Sequence, residues 1–306
     1  MAERLFPAAY GRSEHLTRAG EALADRLRAS GLPVVTPYGL LLEMRRVYAS
    51  GQRLYLRSDA PDPDSYNRLR RNLLDARVLG PDVNYGHRAY RLLDLADPPA
   101  DEVCCLVDPL VCVSHLSALQ RYGLTDRRPQ ALLLSRPAAA IARPLLAERM
   151  RLDASEPLPP QAFAMPLPLV SHPKVVRRRK LHLSQPSHPV ESVALRGCHA
   201  RITTIGQTFA DTLAEPDLCG GMAHVLEIWG QHAAIYLDEI ISAVDRHPLA
   251  IVKVRAGYVI EDLLGIADPR VDTWAKLAQR GGSRLLDPSK PYAPSYSARW
   301  MISTNV

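Results

Sequence analysis

Residues 65–91 read SYNRLRRNLLDARVLGPDVNYGHRAYR, and they are the part of the chain that says most about its fold. Tyr66, Leu69 and Leu73 recur at helical spacing, which predicts a helix with one buried face. The apolar runs 78–79 and 89–93 flank a turn-rich segment and predict the two strands of a hairpin. A helix followed by a hairpin is the second half of a winged helix-turn-helix domain.

Two further helices are predicted before this stretch. The apolar spacing in residues 13–30 predicts an amphipathic helix that ends at Gly31. Thr36 is placed to cap a second helix, with Pro37 in its first turn. Three helices and a hairpin together predict a winged helix-turn-helix domain over residues 1–97.

The positive charge of this region lies on the third helix and the hairpin. Residues 65–91 hold six arginines against two acidic residues, a local charge of +4. The side chains suited to reading base edges in a major groove are Asn67, Arg68, Arg71 and Asn72. Those placed to meet phosphates are Arg70, Arg77, His87 and Arg88. These residues are the predicted DNA contacts. The alternative is a solvated basic helix in a protein-interaction module.

Composition is typical of a soluble globular protein with more than one domain. The chain has 306 residues, more than one hydrophobic core usually organises. It is 47% hydrophobic and 23% charged, with a formal net charge of +6. It has no apolar run of membrane-spanning length and no N-terminal signal pattern. We therefore predict a cytoplasmic protein with a polyanionic partner.

The rest of the chain predicts an α+β protein in which a larger mixed α/β domain follows the winged helix. Residues 98–103 are interpreted as a proline-containing linker, and the larger domain covers residues 104–306. A proline-dense stretch, 157–173, interrupts this domain as an insertion or a surface loop. The basic run 177–180 follows it and is either a solvated loop or a second phosphate contact.

The cysteines and histidines do not indicate a metal centre. Five cysteines without a C-x-x-C pair predict free, buried thiols: Cys104, Cys105, Cys112, Cys198 and Cys219. The adjacent residues Cys198 and His199 cannot easily place both side chains on one ion. We predict neither a metal nor another cofactor.

A catalytic triad can be assembled only on paper. Ser114 and His115 could be joined with Asp108 or Asp126, but neighbouring side chains on a helix point in different directions. Ser114 is better interpreted as a helix N-cap. We therefore predict that the protein is not an enzyme.

Several short elements of the larger domain follow one another in an order that resembles a known family. Residues 113–126, VSHLSALQRYGLTD, resemble the "SAL…hGLtd" element of the AbiEi antitoxin family. Residues 201–211, RITTIGQTFAD, resemble its "R-i-x-x-x-E-R-T-l-x-D" element, with Gln207 where the family often has Glu followed by Arg. The later elements are Gly220-Gly221, Arg255-Ala256-Gly257-Tyr258, Gly281-Gly282-Ser283, Asp287-Pro288 and Arg299-Trp300.

The resemblance implies an autoregulated antitoxin of a phage-defence toxin-antitoxin system. The winged helix would bind inverted repeats in its own promoter, as a homodimer or as paired monomers, and repress the operon. The C-terminal domain would counteract a nucleotidyltransferase-like toxin. The alternative is a stand-alone transcriptional regulator whose C-terminal domain binds a small effector.

The C-terminal motif residues also have structural interpretations. Arg201, Thr208 and Asp211 are predicted to form one buried charge-assisted network. Gly257 and Gly282 are expected to permit a close backbone approach or a positive φ. The other residues given a structural or antitoxin role are Arg255, Tyr258, Arg299 and Trp300.

Overall fold

The computed structural model describes residues 15–51, 54, 56, 58–154, 163–279 and 284–306. They form two compact units. The first contains the residues up to 99 together with 143–172, and the second contains 100–142 together with 173–306. Each unit combines helices with a β-sheet. Within the described ranges, no helix has the length and apolar character needed to cross a bilayer.

Three capped helices open the first unit. They are α1 Arg18–Ser30, α2 Pro37–Tyr48 and α3 Pro63–Asp75. Thr17, Thr36 and Asp62 are the N-caps, and each side chain accepts a backbone N–H of the first turn. Gly31 ends α1 at a φ of 66°, where glycine has no Cβ to clash. The predicted cap at Thr36 and the predicted end of α1 are confirmed.

A three-stranded antiparallel sheet completes the element order. The strands are β1 Val34–Val35, β2 Leu79–Asp82 and β3 Gly86–Leu92, and they lie in the order β1-β3-β2. The predicted hairpin of β2 and β3 is confirmed by their antiparallel pairing. Sequence reasoning missed β1, because a strand of two residues is too short to show a period.

The core of the first unit lies between the helices and the sheet. The predicted inward residues of α3, Tyr66, Leu69 and Leu73, are buried together with Met44 of α2 and Tyr90 of β3. Burial of this apolar stripe fixes the rotation of α3 about its own axis. Its opposite face is therefore the one that remains available to a ligand.

Residues 143–172 pack into this first unit, although the sequence analysis placed them in the larger domain. The guanidinium of Arg45 donates to the carbonyl oxygen of Phe163 at 2.7 Å. The Phe163 ring lies 6.1 Å from the ring of Tyr66, and the hydroxyl of Tyr38 donates to Asp153 at 2.9 Å. The described part of the proline-dense stretch is thus a packed strap of the N-terminal unit, whereas residues 157–162 lie outside the described residues.

The second unit begins inside the segment that was interpreted as a linker. Helix α4 spans Ala100–Val107 and buries Ala100, Asp101 and Val103. Residues 100–103 of the segment that was interpreted as a linker therefore belong to this helix. Two prolines before a helix are as compatible with a helix start as with a linker, because proline is tolerated in a first turn.

A six-stranded mixed sheet organises the second unit. Its strands are β4 Cys112–Val113, β5 Leu132–Ser135, β6 Val175–Val176, β7 Arg179–Ser184, β8 Ser192–Ala194 and β9 Arg201–Thr203. They lie in the order β6-β7-β5-β4-β9-β8. β4 runs parallel to β9 and β5 runs parallel to β7, whereas the other pairs are antiparallel. Strands this short escape a periodicity search, so the sheet was not predicted.

Helices form the larger core of the second unit. They include α5 His115–Arg121, α7 Ile205–Ala214, α8 Met222–His232, α9 Leu237–Arg246, α10 Ala250–Gly257 and α11 Pro269–Asp272. The helix α6 Ala139–Asp153 contains the boundary between the two units. The sequence did not decide whether residues 252–260 form a strand or a helix. They are helical: the first of them belong to α10, and the last three belong to the π-helical turn Tyr258–Leu263 that follows it. A short pair of strands, β10 Tyr296–Ser297 and β11 Ile302–Ser303, lies near the C-terminus.

Candidate nucleic-acid interface

Helix α3 presents a polar face opposite its buried stripe. Arg68 and Arg71 are exposed one turn apart, and Asn67 beside them is half-buried. The helix is held at its start by a capping box between Asp62 and Ser65. The backbone N–H of Ser65 lowers the pKa of Asp62, so this cap stays ionised. The three polar side chains therefore project from a well-anchored helix.

Asn72 was predicted to read bases, but the structure gives its side chain another task. Its amide oxygen accepts from the backbone N–H of Thr17 at 3.0 Å and from the Thr17 hydroxyl at 3.1 Å. Its amide nitrogen donates to the carbonyl oxygen of His15 at 3.2 Å. Asn72 ties α3 to the start of α1, and we remove it from the interface. Helical spacing places Asn72 with Arg68 and Arg71 on one face of the helix. It cannot show that the Asn72 side chain binds Thr17, which lies 55 residues away in the sequence.

Arg70 was predicted to meet phosphates, and it also points inward. Its guanidinium donates to the hydroxyl of Tyr90 at 3.0 Å and lies 6.0 Å from the centre of the Tyr66 ring. Burial raises the pKa of Tyr66 to about 12, so that phenol stays neutral beside the cation. Arg70 connects α3 to the sheet rather than to solvent.

Arg77 occupies the turn that ends α3. Its φ is 56°, in the left-handed region that favours glycine. Val78 N–H donates to Leu73 and Arg77 N–H donates to Leu74, which is the hydrogen-bond pattern of a Schellman motif. The Arg77 side chain is exposed and lines a cleft of about 720 Å³ together with His87. The chain therefore keeps a cation where the backbone would prefer glycine.

The hairpin contributes His87 and Arg88, both exposed. The Arg88 guanidinium stacks over Tyr85 at 5.8 Å and donates to the carbonyl oxygen of Ser171 at 3.0 Å. The hydroxyl of Tyr85 lies 2.7 Å from Nδ1 of His172. The residue 163–172 strap thus orients the side chains at the base of the hairpin turn, a role that the sequence did not indicate.

The remaining polar side chains form the candidate interface, which we define as Asn67, Arg68, Arg71, Arg77, His87 and Arg88. In the described part of the chain, Arg68, Arg71 and Arg77 make no ion pair, whereas Arg91 pairs with Asp97 at 3.2 Å. Unpaired guanidinium groups attract a polyanion without first giving up an internal partner. The excess charge predicted for residues 65–91 is therefore available on the surface at these positions.

The C-terminal motif residues Arg201, Thr208 and Asp211 do not form the single network that was predicted. Arg201 donates to the carbonyl oxygens of Cys105, Asp108 and Val111 and so closes the turn between α4 and β4. The Thr208 hydroxyl lies 2.8 Å from that of Thr203. Asp211 accepts a hydrogen bond from the side chain of Gln207 at 2.7 Å. Gln207 is the residue that stands where the family often has Glu followed by Arg. Three separate sets of local contacts replace the predicted network.

The later motif residues hold the C-terminal segment against the helical core. Arg255 is buried and donates to the carbonyl oxygens of Leu213 and Leu285. Gly257 lies against the indole ring of Trp300, and a Cβ at this position would overlap that ring. Tyr258 follows as a buried residue. Arg299 pairs with Glu261 and Asp272 above the Trp300 ring. The Gly281-Gly282-Ser283 element lies outside the described residues.

Ser114 and His115 come together although the sequence argument expected their side chains to diverge. Oγ of Ser114 lies 2.8 Å from Nδ1 of His115, and Nε2 of His115 lies 2.8 Å from Glu215. This is possible because His115 has a φ of 52°, so the two residues are not in regular helix geometry. Ser114 is the N-cap of α5 by position, but it makes no side-chain capping bond. Its hydroxyl is fully buried, so it is not accessible to a substrate.

A polar cleft of about 500 Å³ lies elsewhere in the second unit. In it, the hydroxyl of Thr125 lies 3.0 Å from Nε2 of His224, and Nδ1 of His224 lies 3.4 Å from Glu227. Arg127 lines the same cleft and donates to the carbonyl oxygen of Gly220 at 3.3 Å. The cleft offers both charges and a hydroxyl group to a small polar ligand. Thr125 belongs to the "hGLtd" element, but the sequence did not place His224 beside it.

Comparison with known proteins finds a structural neighbour at low sequence identity. No protein-family model and no curated protein sequence matches this chain. Among solved structures, the Rv2827c protein of Mycobacterium tuberculosis is similar, with 12% sequence identity and a TM-score of 0.45. The match covers 95% of this chain and 93% of that one. The function is therefore inferred from the geometry of the described residues.

Proposed function

We propose that the protein is a DNA-binding repressor whose first unit is a winged helix-turn-helix domain. The element order α1-β1-α2-α3-β2-β3 and the sheet order β1-β3-β2 support the proposal, because a winged helix combines three helices with a small antiparallel sheet. In this interpretation α3 enters the major groove, and the β2–β3 hairpin is the wing. One observation carries the proposal: Asn67, Arg68 and Arg71 project from a doubly anchored helix, and neither arginine forms an ion pair with a residue in the described ranges.

The chemistry of the candidate interface assigns two kinds of contact. Arg68 and Arg71 are suited to guanine, and Asn67 is suited to adenine, in each case through a pair of hydrogen bonds. Arg77, His87 and Arg88 are suited to phosphate oxygens on either side of the groove. The first group would determine sequence preference and the second would add affinity for any duplex.

The test is a gel shift over a range of salt concentrations with DNA from upstream of the protein's own coding sequence and a scrambled duplex. We expect Arg68→Ala/Arg71→Ala to lose at least about 30-fold of the preference between the two duplexes, because each of the two lost base contacts contributes at least about 1 kcal/mol. The matched control Arg143→Ala/Arg151→Ala removes two exposed charges from the same unit and should preserve that preference. An unchanged footprint and affinity in the α3 variant would remove this helix from the recognition role.

We further propose that the repressor is the antitoxin of its own operon, in line with its resemblance to the AbiEi family. The second unit would then counteract a nucleotidyltransferase-like toxin encoded beside it. Deletion of this gene alone should be toxic only while the neighbouring gene is intact. Normal growth after that deletion would contradict the antitoxin role without affecting the DNA-binding test.

The polar cleft supports a second candidate, a stand-alone regulator that responds to a small effector. Thr125, Arg127, His224 and Glu227 give that cleft the mixed charge that suits a zwitterionic or anionic metabolite. If deletion of the gene is harmless, and if cell extract filtered to remove macromolecules changes the gel shift of wild type but not of His224→Ala, this candidate replaces the antitoxin.

A further inference from the structure

The basic run of the second unit forms the tip of a tight hairpin. β6 and β7 pair so that Val176 lies opposite Arg179, which leaves Arg177 and Arg178 as a two-residue loop. Their φ values are 46° and 63°. Positive φ at both central residues is the property of a type I′ turn, whose twist matches that of the flanking strands. The run is therefore a defined projection at an edge of the sheet rather than a loop trailing from the prolines.

This turn has unusual residues for its backbone. Type I′ turns favour Asn-Gly, because the left-handed region brings the Cβ of other residues close to the following carbonyl oxygen. Arg177 and Arg178 both adopt this left-handed conformation in spite of its energetic cost. Backbone strain of this kind concentrates at positions where the side chain has a function. The same residue type holds a left-handed position at Arg77, in the candidate interface of the first unit.

Three cations of the hairpin are exposed to solvent. Arg178, Arg179 and Lys180 are exposed, and none of them makes an ion pair with a residue in the described ranges. His182 is also exposed and lies on the same face of β7 as Lys180, because side chains alternate along a strand. The tip has no exposed aromatic side chain of the kind that anchors a protein–protein interface. A regularly spaced polyanion is a better match for it than a protein surface.

We propose that the β6–β7 hairpin, Val175–Lys180, is a second phosphate-binding site that contacts duplex DNA without reading its sequence. The choice of duplex DNA rests on the proposed function of the first unit. Guanidinium groups on a short, rigid tip can each form paired hydrogen bonds with phosphate oxygens and lose little freedom on binding. The site adds affinity and salt dependence to a specificity that α3 determines.

The proposal is tested with the full-length variant Arg177→Asn/Arg178→Gly, which is chosen from the geometry of the turn. It removes two charges and installs the residues that the turn prefers, so its melting temperature should equal or exceed that of wild type. We expect Kd to rise about tenfold for both the upstream duplex and the scrambled duplex near 0.1 M salt. The slope of log K against log salt should fall by at least about one, from the loss of the phosphate contact at Arg178.

Two control variants show whether a change in binding comes from the charges at the turn. Arg177→Lys/Arg178→Lys keeps the charges and should keep most of the salt slope. Arg128→Gln/Arg196→Gln removes two exposed charges, one of them in the turn between β8 and β9 at the opposite edge of the sheet, and should bind like wild type.

Each outcome decides for or against the hairpin site. An unchanged slope in Arg177→Asn/Arg178→Gly, or an equal loss in the Arg128/Arg196 control, would overturn it. If wild type binds both duplexes equally, the proposed sequence-specific function fails, whereas the hairpin site still predicts weaker binding by its variant. If wild type binds neither duplex, both proposals fail.

Discussion

Some single residues in the second unit make contacts so close that adding a few atoms to their side chains would disrupt the packing. Gly257 packs so tightly on Trp300 that any added Cβ would overlap the indole ring. Arg255, two residues earlier, is buried, and burial lowers its pKa to about 10 although its guanidinium donates to two carbonyl oxygens. These residues of the family-like elements therefore serve the fold. Their contacts account for the motif without any chemistry on a substrate.

Asp211 gives a residue-scale prediction about pH. Burial raises its pKa to about 6 from an ordinary value of 3.8, and only one of its oxygens has a partner, Gln207. The folded state therefore prefers the neutral acid. Its stabilising effect is complete below pH 3.8 and is lost as the pH rises through about 6, by up to about 3 kcal/mol.

Urea denaturation at pH values between 4 and 7 measures this effect. We expect the stability difference between Asp211→Asn and wild type to grow in favour of the variant across this interval, because an amide does not titrate. A difference that stays constant with pH would show that Asp211 keeps an ordinary pKa in the folded protein.

At the scale of elements, helix α3 is held firmly in place at its start and along one side, but the residue that ends it is not the most stable choice. Its start has a complete capping box, and its side is tied to α1 by Asn72. Its end has the Schellman hydrogen bonds but places Arg77 where glycine is preferred. The one unfavourable feature is also the one that adds a cation to the candidate interface.

Arg77→Gly separates these two effects. We expect the variant to be about 1 kcal/mol more stable, because glycine adopts the left-handed conformation without strain. It should also bind all duplexes more weakly, with a salt slope lower by about one. Thermal melting and the salt-dependent gel shift measure the two quantities. Arg77→Ala is the matched control, because it loses the charge and keeps the strain.

At the scale of the whole molecule, the N-terminal unit is completed by a segment from later in the chain. Residues 143–172 supply Phe163 against Tyr66, Asp153 to Tyr38, and a carbonyl oxygen to Arg45. A fragment that ends at residue 99 would expose this apolar surface and leave the buried guanidinium without its acceptor.

We expect residues 1–99 alone to be about 2 kcal/mol less stable than the same residues joined to 143–172 by a flexible linker. The melting temperature of the shorter fragment should be lower by about 10 °C. Calorimetry of both fragments measures the difference. Equal melting temperatures would mean that residues 143–172 add no stability to the first unit.

The amino-acid sequence by itself determined the features that depend on neighbours along the chain. The caps at Thr36 and Gly31, the buried stripe of α3 and the β2–β3 hairpin follow from propensity and periodicity, which are local properties. The concentration of arginines in residues 65–91 was equally visible. Arg68 and Arg71 of the candidate interface could be chosen on this basis, because both the helix and its buried face were predictable.

The tertiary structure alone decided which polar side chains are available. Asn72 and Arg70 share the residue types of the interface, but Thr17 and Tyr90 bind them from distant parts of the chain. The order of the six-stranded sheet, the strap of residues 163–172 and the pairing of His115 with Glu215 likewise join segments far apart in sequence. Such contacts leave no periodic signal, because their free energy comes from packing between segments and not from the preferences of the segments themselves.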